Sequence, residues 1–202
     1  MKDKSNVFFK FVIVVAILIV AVGFVRERFY NNDSTKSGVA GKQKNVTMQS
    51  LVGKPAPAFK ITDRQGKAYS NESLKGKKVV LFFNEGLACY PACWEQMKQL
   101  SSDSRLNNDD TITLSVVTDS IEGWQGATAK TSELAAIKVA FDQGAVASEV
   151  FGTISAPSSM HGGVPGHSYV VIDTEGVVRF VLDDPKMGIN NEKINSELLK
   201  IQ

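Results

Sequence analysis

Only two cysteines occur among the 202 residues. Two thiols cannot build a disulfide scaffold, and a four-cysteine zinc site is excluded. Proline is sparse, at 6 residues, and the 16 glycines follow no collagen period. With 43% hydrophobic and 22% charged residues the composition is that of a globular chain, which rules out disorder or low complexity for its bulk. No internal repeat is present. Nor does one sign of charge dominate, the formal net charge being +2. The positive excess sits in residues 1–50, with 8 Lys/Arg against 3 Asp/Glu, so residues 51–202 carry 15 basic and 18 acidic side chains, a net of −3. A nucleic-acid footprint on that part is not expected. The length permits one domain or two small ones.

What is present begins with one long apolar run. Phe11 to Val25 (FVIVVAILIVAVGFV) is uncharged, and residues 7–25 extend it at the cost of a single lysine, Lys10. At about 1.5 Å per residue this stretch covers roughly 28 Å, close to the ~30 Å of a hydrocarbon core. Lys10 lies near its edge, where a lysine stem can carry its charge to the interface. The run reads as a single transmembrane anchor behind a short cytoplasmic tail, residues 1–6. A cleaved signal peptide is the alternative, with Ala21-Val22-Gly23 as a small-x-small site. No cysteine follows closely, which excludes a lipoprotein anchor. Both readings place the rest of the chain outside the cytoplasm, and the first tethers it to the cell membrane. Residues 26–50 are mostly small and polar and read as a flexible linker. The domain is expected at 51–202.

Within that domain, Lys77 to Asn84 (KKVVLFFN) and Thr111 to Thr118 (TITLSVVT) are continuous apolar runs of the kind found in buried parallel strands. A short strand is expected at Ala58–Ile61, closed by a turn at Asp63–Gly66, and another at Ile137–Phe141. Between them, Cys93 to about Leu106 reads as a helix, with Cys93, Met97 and Leu100 on one face. Helical turns are expected at Gly123–Ala136 and Ala145–Phe151. Ser155–Gly166 is a Gly/Pro/Ser loop. Ser168–Asp173 and Val177–Leu182 form a hairpin about Thr174-Glu175-Gly176, and Asn190–Ile201 closes as an amphipathic helix. This order predicts an α/β fold, a sheet with helices on both faces.

The chemistry-bearing motif is Cys89-Tyr90-Pro91-Ala92-Cys93, between the strongest strand and the helix behind it. A helix N-terminus offers unpaired N–H groups and the positive end of the macrodipole. Both favour thiolate, the nucleophile of disulfide exchange and of peroxide reduction. Cysteines four apart on a helical turn lie roughly 6 Å apart at Cα, inside the span a disulfide needs. An inert structural bridge is the bland alternative, though so short a loop gains little from closure. Trp94 rims a partner groove or packs. Glu85 is a proton acceptor or a solvated carboxylate. Met160 and His161 read as loop residues, and Phe82, Phe83 and Tyr169 as core.

Taken with Val52–Phe59 (VGKPAPAF), Leu74–Lys77 (LKGK), the VVLFFN strand and SYVVIDTEGVVRF, the motif resembles the thioredoxin-like superfamily, in particular its redoxin branch, which includes the AhpC/TSA peroxiredoxins and membrane-tethered thiol–disulfide proteins. The resemblance implies a thioredoxin-like fold with a central mixed sheet, and an oxidoreductase that reduces disulfides or peroxides at the expense of an electron donor, without a cofactor. It implies Cys89 as attacking thiol, Cys93 as resolving thiol, His167 across from them, and Pro165 as the cis-proline that faces the active disulfide in that superfamily. Three residues separate the cysteines where thioredoxins have two. Gly86 stands where peroxiredoxins place a threonine, and His167 where they place an arginine. The Cys-x-x-x-Cys spacing and the late histidine also resemble the Sco copper proteins, which implies a copper site at Cys89, Cys93 and His167. Two thiolates and an imidazole suit Cu(I).

Overall fold

Strand parity organises the domain. In the computed structural model, which describes residues 46–201, the central strand β3 (Lys78–Phe83) buries five of its six residues. Val79, Leu81 and Phe83 join one hydrophobic cluster, and Val80 and Phe82 join another on the opposite face. A strand buried on both faces carries no polar alternation, which is why this stretch reads as one continuous apolar run.

Around β3 stand β1 (Lys60–Asp63), β2 (Ala68–Ser70), β4 (Thr111–Val117), β5 (Val139–Phe141), β6 (Ser168–Ile172) and β7 (Val178–Asp183). They form one sheet in the order β2-β1-β5-β4-β3-β6-β7. β3 runs parallel to β4, β4 parallel to β5, and β3 antiparallel to β6, with Phe82 opposite Tyr169 and Phe83 opposite Ser168. The sheet is therefore mixed, as a thioredoxin-like fold requires. The helix Ala92–Ser102 crosses from β3 to β4 and packs Met97 and Leu100 into the Val80/Phe82 cluster. Trp124, from the helix Ile121–Lys130, and Ile194 and Leu198, from Asn191–Leu198, fill the same cluster. The other face is covered by Ala147 of Val146–Val150 and by Phe151, which meets Phe59 and Phe83.

The expected elements are found with shifted ends, and β2, three residues long, is one the sequence reading did not anticipate. The first helix stops at Ser102 rather than near Leu106. The domain also begins earlier than Leu51. Met48–Leu51 forms a 3-10 turn whose Met48 and Leu51 are buried in the core, so the last residues assigned to the linker belong to the folded unit, because Met48 supplies apolar surface that the core covers. The expected tail at 1–6, the anchor at 7–25 and the linker up to residue 45 lie outside the described residues. Among the described residues no helix is long and apolar enough to cross a membrane.

Candidate active site

Beyond β3 the chain must turn sharply to present the cysteines. Asn84 organises the turn: its side chain donates to Phe82 O (3.1 Å) and accepts from Gly86 N–H (2.9 Å). Gly86 has φ +59°, in the left-handed region that favours glycine, and a Cβ there would overlap the Asp119 carboxylate. That carboxylate accepts the N–H of Leu87 (3.1 Å). Burial raises the Asp119 pKa, against the opposing Leu87 bond. A 3-10 turn, Gly86–Ala88, then delivers Cys89. The helix opens at Ala92, so Cys93 lies in its first turn, with its N–H on Cys89 O at 3.0 Å. Trp94 Nε1 donates back to Gly86 O (3.3 Å), and its ring meets the exposed Tyr90 edge-on.

Cys89 and Cys93 are joined as a disulfide, with Cα atoms 5.3 Å apart. The two sulfurs are not equivalent. Cys89 retains 8% exposure and Cys93 none. Cys89 is thus the residue nearer the surface, while Cys93 sits behind it at the helix N-terminus, where the macrodipole favours its thiolate.

His167 is fully buried beside the inner sulfur, with Nδ1 at 3.7 Å from Cys93 Sγ. It lies just before β6, edge-on to Phe82, which stacks in turn on Tyr169. On its far side, Nε2 is 2.9 Å from Tyr169 Oη and 3.2 Å from Gly188 O. Burial lowers the His167 pKa, opposed by the charge of Asp184, the Gly188 carbonyl and Asp183. Burial thus favours the neutral imidazole over the cation at this position. Burial likewise pushes the Tyr169 hydroxyl far up. The segment Asp184–Asn190 meets both the outer sulfur and the histidine, since Met187 Sδ lies 3.9 Å from Cys89 Sγ while Gly188 O meets His167.

The structure therefore brings Cys89, Cys93 and His167 together. It does not give Pro165 the expected role. Among the described residues the cis peptide bond is Tyr90–Pro91, and the bond before Pro165 is trans. The loop ahead of His167 is fixed instead by packing: a Cβ on Gly166 would overlap Ser158, and Ser158 and Ser168 both hydrogen-bond the Asp183 carboxylate. Glu85 serves the same loop. It accepts from Met160 N–H (3.0 Å) and pairs with His161 Nδ1 (2.7 Å), and neither of these bonds reaches a sulfur. Tyr169, Met187, Gly188 and Asn190 are site residues that the sequence reading missed or took as core. His167 and Tyr169 are two apart around the start of a strand, so they share a face, and that spacing is the signal that could have found Tyr169.

Among the described residues the three arginines are engaged away from the sulfurs. Arg64 donates to the carbonyls of Ala135 and Ile137, Arg105 to Asp103 and Glu192, and Arg179 to Asp173. Among the described residues no group of three or more His, Cys, Asp and Glu side chains is placed to hold a metal ion, and the sulfurs that the copper reading requires as thiolates are bonded to each other.

Solved structures share this architecture. AhpC from Enterococcus faecalis superposes with a TM-score of 0.64 at 18% identity, covering 74% of this chain and 91% of that one. A peroxiredoxin-like protein from Aquifex aeolicus gives 0.60 at 18%, covering 74% and 86%. A candidate protein disulfide isomerase from Bacteroides thetaiotaomicron gives 0.54 at 24%, covering 74% and 86%. At these identities the likeness is one of fold. No curated protein matches the chain. The redoxin family model matches residues 51–195, and on that match, which spans most of the sequence, the chain belongs to the redoxin family of thiol-dependent oxidoreductases.

Proposed function

We propose that this protein is a thiol–disulfide oxidoreductase in which Cys89 attacks a substrate disulfide and Cys93 resolves the mixed disulfide. The observation that carries this reading is the asymmetric pair itself: a Cys89 that keeps some surface exposure, joined to a fully buried Cys93 that has an imidazole at 3.7 Å. In the reduced enzyme the Cys89 thiolate attacks one sulfur of a substrate R–S–S–R′. The S–S bond breaks and R′S⁻ leaves, taking a proton from solvent. Cys93, as thiolate, then attacks the Cys89 sulfur of the mixed disulfide, and RS⁻ leaves. Two electrons pass from the cysteine pair to the substrate, giving two thiols and the Cys89–Cys93 disulfide. A dithiol donor returns the pair to its reduced form by the reverse exchange. His167 stands where charge appears and disappears on Cys93.

Disulfides are favoured over peroxides as the substrate class. Peroxide reduction calls for a cation or hydroxyl cluster at the attacking sulfur, and all three arginines of the domain are engaged elsewhere. The exposed side chains of Tyr90 and Ile189, with the partly exposed Trp94 and Met187, instead offer an apolar rim suited to a polypeptide flanking a cystine. We also read residues 7–25 as the membrane anchor that holds this domain on the extracytoplasmic side, a compartment where disulfides form and persist.

The test is turnover of insulin disulfides with dithiothreitol as donor, run beside hydrogen peroxide consumption. Wild type reduces insulin, Cys89→Ser does not, and peroxide loss stays at background. Undiminished insulin turnover in Cys89→Ser overturns the role of Cys89, and rapid Cys89-dependent peroxide loss overturns the substrate class.

A further inference from the structure

His167 presents one nitrogen to Cys93 and the other to two oxygens, and the two oxygens make opposite demands. The Gly188 carbonyl can only accept. It already receives a bond from Asn190 Nδ2 at 3.0 Å. The orientation of the Asn190 amide is itself settled, because its NH2 group also donates to Asp184 Oδ2 at 2.8 Å. The Tyr169 hydroxyl can give or take. It receives a long contact from the same Asn190 amide at 3.5 Å, and the one acceptor within its reach among the described residues is His167 Nε2, at 2.9 Å. A fully buried hydroxyl donates its proton where it can, because an unmade bond in the interior costs the full desolvation of the group. Tyr169 therefore gives its O–H to Nε2. The proton of the neutral ring must then sit on Nδ1, facing Cys93.

We propose that Tyr169 is a positioning residue that locks neutral His167 as its Nδ1–H tautomer, so that His167 acts as a hydrogen-bond donor to the Cys93 sulfur and not as the base that deprotonates it. The inference rests on the exchange reading above and specifies its inner half. When an incoming thiolate attacks Cys89 Sγ, the S–S bond breaks and its electron pair goes to Cys93 Sγ. The Nδ1–H of His167 donates to the new thiolate while its proton stays on nitrogen. Tyr169 keeps its own proton too, since burial makes tyrosinate costly at this position. The same donor holds Cys93 as thiolate for the resolving attack. A basic Nδ1 would instead face the sulfur with a lone pair, and would leave a buried thiolate without a partner in the neutral state of the ring.

The experiment reads the tautomer directly. Nitrogen-15 spectra of the imidazole are recorded on the reduced full chain in detergent, and the two histidines are assigned with His161→Gln. Wild type at neutral pH shows His167 protonated at Nδ1 and pyridine-like at Nε2. Tyr169→Phe keeps the ring that stacks on Phe82 at 4.6 Å and removes only the hydroxyl, leaving the Gly188 carbonyl as the partner of Nε2, so the proton moves to Nε2. With Cys89→Ser as background, thiolate absorbance then shows the Cys93 pKa raised by about one unit or more on Tyr169→Phe, the size of a lost hydrogen bond to a charged group. A wild-type ring protonated at Nε2, or at both nitrogens, overturns the proposal even if the variant fails to fold. A Tyr169→Phe ring still protonated at Nδ1 overturns the role of Tyr169. Failure of the exchange reading shows separately, as insulin turnover that survives Cys89→Ser.

Discussion

Replacing Gly86 by alanine tests how the approach to the cysteines is built. The backbone there has φ +59°, and a residue with a Cβ loses roughly 1–2 kcal/mol in the left-handed region. The added methyl would also lie 2.8 Å from Asp119 Cγ, closer than any real Cβ sits. The carboxylate must swing away, and the Leu87 N–H then loses its acceptor at 3.1 Å, a further ~1 kcal/mol. The two effects together predict a loss of about 2–3 kcal/mol for Gly86→Ala. They separate in a double-mutant cycle. Once Asp119→Ala has removed the obstacle, the same glycine substitution costs only the backbone part, roughly 1–2 kcal/mol. Equilibrium urea unfolding of the four proteins measures this. A Gly86→Ala cost below about 0.5 kcal/mol, the scatter of an ordinary surface change, would refute the reasoning, and an identical cost in both backgrounds would show that Asp119 is not the neighbour that matters.

Two further outcomes follow from the same geometry. Reducing the Cys89–Cys93 bond opens a loop of sequence separation 4. The loop-closure relation assigns so short a link about 2 kcal/mol, or roughly 4–8 °C in the midpoint of a domain this size. Calorimetry should show the reduced protein still melting in one cooperative transition, and a reduced form that loses cooperative melting would contradict a pair able to cycle. His167 makes stability pH-dependent. Its folded pKa lies below the ordinary value because burial disfavours the cation, so the unfolded chain takes up the proton first. The stabilising contribution is complete above about pH 6.5 and disappears as pH falls through the folded value. The stability difference between wild type and His167→Gln should shrink from pH 8 to pH 5, and a difference that grows on acidification would reverse the assignment.

Much of the fold was readable because its central strands are buried on both faces. Runs such as Val79–Phe83 and Val170–Ile172 contain nothing polar to suggest another structure. β2, with only Ala68–Ser70, is too short to show a period, and it exists because β1 pairs with it. The cysteine pair was readable too, since spacing fixes the reach between two residues on one turn. Local spacing could not identify the partners of the pair. Met187 lies 98 residues from Cys89, and Gly188 is 21 from His167, and what joins each pair is the folded path of the chain. The isomer of a prolyl bond is likewise set by surroundings, because the intrinsic preference is only about 0.5–1 kcal/mol. This is why Pro165, chosen by its place in a loop, was not the cis residue. Tyr169 was assigned correctly to the core, but burial conceals a hydroxyl as easily as a phenyl ring.

The opposite parities of β3 have a consequence for anyone redesigning this protein. Phe82 and its even-numbered companion look toward the redox pair, whereas Val79, Leu81 and Phe83 look away from it. One slab of the molecule is thus insulated from the electron traffic of the other. Thermal endurance can be adjusted by repacking the far slab with the sulfur chemistry left alone, and changes to the potential of the pair can be sought in the near slab with half of the interior left as ballast.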